Sequence, residues 1–309
     1  MIPIKPLQLN HPLIKQHCFG GAWYHKVMSV EYAFYGIEGV ITLPLPFIRR
    51  YTNDFKPKKG LLDLNHQNLD VSSIYMGGYA IDESDVGLAL FRAELGGEIT
   101  SGSCVYRPFW RYITAENADI GGYDLQNHRN YAATQLSEKN GLKNVYAQYH
   151  PSFSEYYYLP GDTLKMSLYS PKPDFMQLKI EVLEVSKLPY SIQLRRKYHL
   201  KQPSTFISPM FASKGHGTDM LKTYKRVNAI DQAKNEGKVA IPSDTQILNA
   251  LWQSCYLYYK ENNTLFKTPF NEEISVTMQC PDPKAFYSTV IESTTGRQMI
   301  SISPKEVKK

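Results

Sequence analysis

The sequence predicts an all-β, mainly antiparallel fold: a sandwich of two sheets with loop or helical insertions. The strongest indication is strict alternation of apolar and polar side chains, at Leu164, Met166 and Leu168 and again at Met176, Leu178, Ile180 and Val182. A Pro-Lys-Pro-Asp turn at 171–174 separates the two stretches. Such alternation buries one face of each strand and leaves the other in water. In addition, 23 of the 309 residues are tyrosine, a residue that favours strands.

Other segments rich in β-formers and bounded by turn residues predict further strands. They are two strands within 23–43, then 74–81, 86–92, 105–113, 154–159, 190–198, 222–230, 274–278, 286–291 and 299–302. Residues 244–259 instead carry apolar side chains at helical spacing after Asp244, an N-cap residue type, so they predict a helix. The polar stretch 50–70 predicts a loop, and 114–143 predicts a long loop or a short helical insert, with one helical turn at 137–142.

These elements predict one domain with two appendages. Residues 1–20 form an extended arm, because Pro3, Pro6 and Pro12 block a helix. Residues 21–303 form a single sandwich with insertions near 50–70, 114–143 and 231–262, and residues 304–309 form a basic tail.

Charge and composition exclude several classes of protein. The net charge of +6 is modest and dispersed, so we expect no nucleic-acid partner. The chain has no long apolar run that could span a membrane and no apolar core of a signal peptide after Met1, so we expect synthesis in the cytosol. The four cysteines, Cys18, Cys104, Cys255 and Cys280, form no C-x-x-C pair, and their spacing leaves their disulfide state open.

Motifs for common cofactors and catalysts are absent from the sequence. It lacks a Walker loop, a dinucleotide-binding glycine pattern, H-E-x-x-H and G-x-S-x-G, and its eight histidines are isolated. We therefore expect no cofactor and no metal. Asp82, Glu83 and Asp85 could supply part of a calcium site, but a solvated hairpin turn is the favoured interpretation.

The order of several short segments resembles the glutamic peptidases, or eqolisins. The matching segments are Gly20-Gly21-Ala22-Trp23, the strand from Tyr35 to Pro44, Tyr75-Met76-Gly77-Gly78-Tyr79, Asp85-Val86-Gly87-Leu88, the aromatic strand around Trp110, and Pro160-Gly161-Asp162-Thr163-Leu164. The resemblance covers roughly residues 20–230. It implies a concanavalin A-like sandwich of two curved antiparallel sheets.

The resemblance also implies where a peptidase of this family would carry its catalytic residues. The family uses a glutamine and a glutamate that share a water on the concave sheet. The matching positions here hold Asp85, which cannot donate as an amide does, and Arg226, which cannot act as a base at neutral pH. We therefore predict a degenerate, non-catalytic dyad in which Asp85 and Arg226 form an ion pair.

These observations favour a non-enzymatic protein that assembles with its own copies as a coat, lattice or inclusion. Six large aliphatic residues in the first fourteen suggest that the N-terminal arm docks on another copy, only slightly ahead of docking on its own domain. One alternative is a glycan- or peptide-binding module that uses aromatic residues of the concave sheet: Tyr75, Tyr79, Tyr106, Trp110 and Tyr112. A second alternative is a glutamic-type peptidase with a displaced dyad.

Overall fold

Two antiparallel β-sheets make up most of the fold. The computed structural model describes residues 2–9, 18–50, 69–95, 98–114, 122–124, 129–131, 134–135, 144–149, 154–232, 235 and 237–307. Within them, the first sheet contains eight strands, the second contains nine, and a further pair of short strands forms a two-stranded ribbon. The expected antiparallel sandwich is confirmed.

The eight-stranded sheet runs in the order β17-β1-β14-β3-β4-β5-β9-β8. Its strands are β1 (Ala22–Ser29), β3 (Asp70–Tyr79), β4 (Glu83–Leu95), β5 (Glu98–Thr114), β8 (Thr134–Gln135), β9 (Asn144–Tyr149), β14 (Thr223–Gln232) and β17 (Ser275–Cys280). The two-stranded ribbon pairs β6 (Gly122–Asp124) with β7 (Arg129–Tyr131).

The nine-stranded sheet runs in the order β12-β11-β10-β2-β15-β19-β18, with β13 paired to β11 and β16 paired to β15. Its strands are β2 (Phe34–Thr42), β10 (Thr163–Tyr169), β11 (Phe175–Glu184), β12 (Phe206–Ile207), β13 (Phe211–Ala212), β15 (Ile247–Glu261), β16 (Thr264–Pro269), β18 (Phe286–Ser288) and β19 (Gln298–Ile302). Among the described residues, the helical elements are α1 (Pro189–Lys197) and three short 3₁₀ helices at Ser154–Tyr156, Pro283–Ala285 and Pro304–Val307. No helix in these described ranges has the length and apolar character needed to cross a bilayer.

The main hydrophobic core fills the space between the two sheets. Side chains that the alternation of β10 and β11 predicts to be buried, such as Leu164, Met166 and Ile180, are inaccessible to solvent there. They belong to one cluster with Trp23 of the facing sheet and Trp252 of β15 in the same sheet. Alternation in these strands therefore identified the buried face correctly.

The predicted helix over 244–259 is wrong, because this segment forms most of strand β15. Two bulges that add a residue to β15 interrupt its pairing, one between Ile247 and Ala250 and one between Trp252 and Ser254, and a third irregularity lies between Tyr258 and Tyr259. Each bulge adds a residue and shifts which side chains face the core. Inward residues consequently follow steps of two and three, which resembles helical spacing when it is read from the sequence.

The predicted strand over 190–198 is also wrong, because Pro189–Lys197 is helix α1. Pro189 suits the first helical turn, where its missing N–H costs nothing. Arg195 then donates to the buried Asp162 at 2.7 Å, and Leu194 packs beside Tyr157. The predicted strand at 154–159 is replaced by a 3₁₀ turn followed by a single bridge at Tyr158.

The N-terminal arm lies on its own domain over residues 2–9. Its backbone runs beside β16: Lys5 N donates to Lys267 O at 2.9 Å, and Lys267 N donates to Pro3 O at 3.0 Å. Leu7 and Leu9 pack against the main core. Residues 2–9 thus contact their own domain, and the docking of the arm on another copy stays a prediction.

A disulfide between Cys18 and Cys280 joins the end of the arm region to β17, with Cα atoms 5.7 Å apart. Cys255 is a buried free thiol. The loop expected at 50–70 falls almost wholly outside the described residues, as do most of 114–143 and the helical turn expected at 137–142. The single-domain division with its insertions and basic tail stays a prediction.

Candidate functional site

The two faces of the eight-stranded sheet differ in what they bury. Strand β14 turns Arg226 and Ile230 toward the second sheet, and it turns Lys225 and Val227 to the opposite side, which we call the outer face. A second apolar cluster lies on this outer face and consists of Ala22, Tyr24, Val71, Tyr75, Ala89, Phe109, Val227, Ala229 and Cys280. The outer face therefore holds a buried surface of its own, separate from the main core.

A network of four charges crosses this outer face. The Nζ of Lys225 lies 2.7 Å from Oδ1 of Asp85 and also pairs with Glu83, while Arg111 pairs with Oδ2 of Asp85. The side chain of Asp85 is only 2% exposed, so its carboxylate contacts the two cations and almost no water. Two acids and two bases thus neutralise one another at the centre of the sheet.

Gly77 makes this network possible. It lies on β3 between Lys225 of β14 and Asp85 of β4, directly paired with both in the register. A Cβ at this position would lie 2.6 Å from Cε of Lys225 and 2.8 Å from Oδ1 of Asp85. The lysine therefore reaches the aspartate by crossing over a residue that has no side chain.

The ion pairs fix the ionisation of the network. Burial alone would raise the pKa of Asp85, but the charges of Lys225 and Arg111 lower it to about 2. Burial would likewise lower the pKa of Lys225, but Asp85 and Glu83 raise it well above its usual value. Both groups consequently stay charged across the neutral pH range.

Lys26 lies beside the network and is electrostatically different from it. Burial, followed by the nearby charge of Lys225, lowers the pKa of Lys26 to about 8. Its ammonium lies 5.9 Å from the ring centroid of Tyr24, and it forms no ion pair with a carboxylate among the described residues. A half-buried lysine of this kind can bind an anionic group, or act as a base or nucleophile once it loses its proton.

Five aromatic residues were predicted to form a binding surface on this sheet, and the structure separates them. Tyr75 lies on the outer face with its ring edge-on to Phe109, 6.0 Å between centroids, and Tyr79 is 51% exposed. Tyr106 and Trp110 belong instead to the main core, so their placement on the binding face is wrong.

The reason is that β5 turns alternate residues inward. The Tyr106 hydroxyl lies 3.1 Å from the Ser72 hydroxyl, and Trp110 stacks on Phe206 with centroids 5.9 Å apart. The side chain of Tyr112 lies outside the described residues.

The predicted ion pair between Asp85 and Arg226 is wrong. Arg226 points between the sheets, where it donates to Gly296 O at 2.9 Å and to Gln298 Oε1 at 3.0 Å. Its neighbour in sequence, Lys225, is the partner of Asp85. A register shift of one residue moves a side chain to the other face of a sheet, which accounts for the error.

The solvated acidic hairpin turn is wrong for two of its three acids. Asp82 is 3% exposed and accepts a hydrogen bond from Lys214 N at 2.9 Å, and Asp85 belongs to the charge network. No group of three or more potential metal ligands occurs within the residues that the structure describes.

Sequence reasoning missed a second buried carboxylate, on the outer side of the nine-stranded sheet. Glu38 is 5% exposed and accepts from Lys267 at 2.8 Å, pairs with Lys165 at 2.9 Å, and accepts from the hydroxyl of Tyr258. Burial would raise its pKa, but these donors lower it. Since β16 carries both Lys267 and the docked arm, this cluster helps to fix that edge of the sheet.

Comparisons with known proteins concern the fold. Neither a protein-family model nor a curated protein sequence matches this chain. In structure it is similar to scytalido-glutamic peptidase with a transition-state analogue inhibitor, with a TM-score of 0.44 and 7% identity over 91% of this chain and 98% of that chain. It is also similar to SCP-B, a member of the eqolisin family of peptidases in complex with the tripeptide Ala-Ile-His, with a TM-score of 0.39 and 7% identity over the same shares. Both likenesses have TM-scores below 0.5 and concern the fold alone; the chain itself is a β-sandwich of two antiparallel sheets.

Proposed function

We propose that this protein acts by binding a ligand, without catalysis, through the outer face of its eight-stranded sheet. The observation that carries the proposal is the charge network, in which Asp85 and Glu83 are both bound by Lys225. The ligand class that suits the face best is an extended peptide with an acidic side chain.

The network argues against acid–base chemistry at this place. A general base works best when its pKa lies near the working pH. Asp85, with a pKa of about 2 and a nearly inaccessible side chain, is too weak a base and too well enclosed to activate a water near neutrality. Proton transfer from Lys225 is opposed by the two carboxylates that hold its charge.

Lys26 supports an anionic ligand. It forms no ion pair with a carboxylate among the described residues, and burial and the charge of Lys225 lower its pKa, so its surroundings disfavour an unmatched charge. A carboxylate from a ligand would relieve that penalty and restore the proton at the same time. Tyr79, half exposed on the same strand as Tyr75, offers an apolar surface to a neighbouring side chain of the peptide.

A peptide array tests this proposal directly. Fluorescent octapeptides with a central glutamate, and matched peptides with glutamine, are titrated against the protein and its Lys26→Met variant. We expect the glutamate peptides to bind at least tenfold more weakly to the variant, with little change for the glutamine peptides. Lys187→Met, at an 86% exposed side chain, is the matched control. Equal binding by all three proteins, or preferential binding of neutral oligosaccharides, would overturn the peptide assignment.

Self-assembly is a second candidate, favoured by an exposed apolar patch at Leu45, Phe47 and Leu248. These residues are 49%, 49% and 48% exposed, and an antiparallel bridge between Phe47 and Gln246 brings their two segments side by side. Sedimentation of the wild type and of Leu248→Glu tests this candidate. A mass that exceeds one chain and falls in the variant supports assembly, and a monomer at high concentration excludes it.

A further inference from the structure

A positive charge lies in the core between the two sheets without an acidic partner. Arg226 is 1% exposed, and its guanidinium donates to the neutral acceptors Gly296 O and Gln298 Oε1. The rings of Trp252 and Phe270 lie 5.5 and 5.9 Å from it. The described residues place no carboxylate in an ion pair with it. A buried, uncompensated charge is costly, because the interior replaces little of its lost hydration.

The thiol of Cys255 does not supply the missing negative charge. It lies beside Arg226, whose charge favours the thiolate, yet burial raises the pKa of Cys255 to about 12. The thiol is therefore protonated at neutral pH and serves only as a weak neutral acceptor.

Three buried side chains in this region of the described chain have polar atoms without hydrogen-bond partners: Nε of Arg226, Nδ2 of Asn228 and the ring nitrogens of His25. Each of the three residues is 1% exposed. The orientation of Asn228 is fixed, because the indole of Trp252 donates to its Oδ1 at 2.7 Å and an indole nitrogen can only donate. The amide N–H groups of Asn228 consequently point away from the tryptophan.

The register brings these donors to one place. His25 on β1 lies directly opposite Asn228 on β14, and Arg226 stands two residues earlier on the same inward face. Directly opposed side chains have Cβ atoms about 5 Å apart, and diagonal ones about 7–8 Å apart. Burial, followed by the nearby charge of Arg226, lowers the pKa of His25 to about 3. The imidazole is therefore neutral and offers one N–H.

We propose that His25, Arg226 and Asn228 bind one small monovalent anion of the halide class between the two sheets. Nε–H of Arg226, an N–H of the Asn228 amide and the imidazole N–H would point at it. A halide accepts hydrogen bonds from every direction and cancels the charge of the guanidinium. A buried water could bridge the same groups, but it would leave that charge uncompensated.

Bromide tests the proposal on the wild-type protein, where folding of a variant is not in question. Crystals grown in sodium bromide are measured at the bromine absorption edge. We expect an anomalous peak in contact with His25, Arg226 and Asn228, and the same peak lost in Asn228→Ala. A light, non-anomalous water at that position, or bromide found only on the surface, would overturn the proposal.

Thermal unfolding gives an independent measurement in solution. At constant ionic strength, sodium gluconate is replaced stepwise by sodium bromide or chloride. A ligand that binds only the folded state raises its stability with the logarithm of concentration, so Tm should rise by about 2 °C for each tenfold increase above the dissociation constant. Arg226→Met should abolish this rise, while Arg297→Met, at an exposed arginine, should retain it. Equal Tm values in halide and gluconate would contradict halide binding.

Discussion

His216 should make the protein lose stability in mild acid. This residue is fully buried, its Nδ1 lies 2.9 Å from the Ser213 hydroxyl, and its Nε2 faces Gly78, where a Cβ would lie only 2.5 Å away. No partner among the described residues satisfies Nε2. Burial, followed by the nearby charge of Lys222, lowers the pKa of His216 to about 4. A proton on this ring would therefore place a second positive charge, beside that of Lys222, in a buried site.

The sign and size of the effect follow from proton linkage. The folded pKa of about 4 lies below the unfolded value of 6.5, so the unfolded chain binds the proton first as the pH falls. The contribution of His216 is complete above pH 6.5 and is lost as the pH falls toward 4. Each unit of pKa difference corresponds to about 1.4 kcal/mol, so the loss between pH 7 and 4 is about 3 kcal/mol.

Urea denaturation of the wild type and His216→Gln at several pH values between 7 and 4 measures this loss. Glutamine keeps a polar side chain and cannot titrate, so His25 and the carboxylates contribute equally to both proteins. We expect the unfolding free energy of the wild type to fall by about 3 kcal/mol more than that of the variant. Parallel pH profiles would refute the assignment of a buried, neutral His216.

Three further changes have defined outcomes. Lys225→Met leaves buried Asp85 with one cation instead of two and should lower the unfolding free energy by about 3 kcal/mol, measured by urea denaturation. Cys18→Ser opens the bond to Cys280 and should lower the unfolding free energy under oxidising conditions by about 3 kcal/mol. Deletion of residues 2–9 should lower Tm through lost packing of the arm, while light scattering shows an unchanged mass because the arm docks on its own chain.

Each of these outcomes has a control. Lys187→Met removes an exposed ion pair and should change the unfolding free energy by less than about 0.5 kcal/mol. If Lys225→Met loses no more than this control, the buried network does not stabilise the fold more than a surface ion pair does. Under reducing conditions, which break the disulfide of the wild type, Cys18→Ser and the wild type should have the same unfolding free energy. A smaller mass after the deletion would show that the arm joins copies after all.

Strand periodicity carried most of the fold prediction. Strands β10 and β11 alternate without interruption, so their buried faces could be read from the sequence. Strand β15 could not, because its bulges break the alternation and their positions depend on pairing with β2 and β19. Helix α1 was missed because apolar residues at Tyr190, Ile192 and Leu194 alternate as they would in a strand.

The site was harder to predict than the fold, because the eight-stranded sheet carries buried side chains on both of its faces. Strand β14 places Arg226 and Asn228 inward and Val227 and Ala229 outward, so polarity does not indicate which face is the core. The sequence analysis singled out Asp85, but the partners of Asp85 depend on the register across three strands. Lys26 carries no sequence signal at all, since its depressed pKa arises from tertiary burial.

The central claim, binding without catalysis, is tested most directly by a proteolysis assay. The purified protein is incubated with an unfolded protein substrate from about pH 2 to pH 7, and the products are followed by mass spectrometry. Our account predicts no cleavage at any pH, since Glu83 and Asp85 are held by Lys225 and Arg111. Cleavage that survives repurification and disappears in Glu83→Gln would contradict it and would establish an acidic peptidase with a displaced dyad.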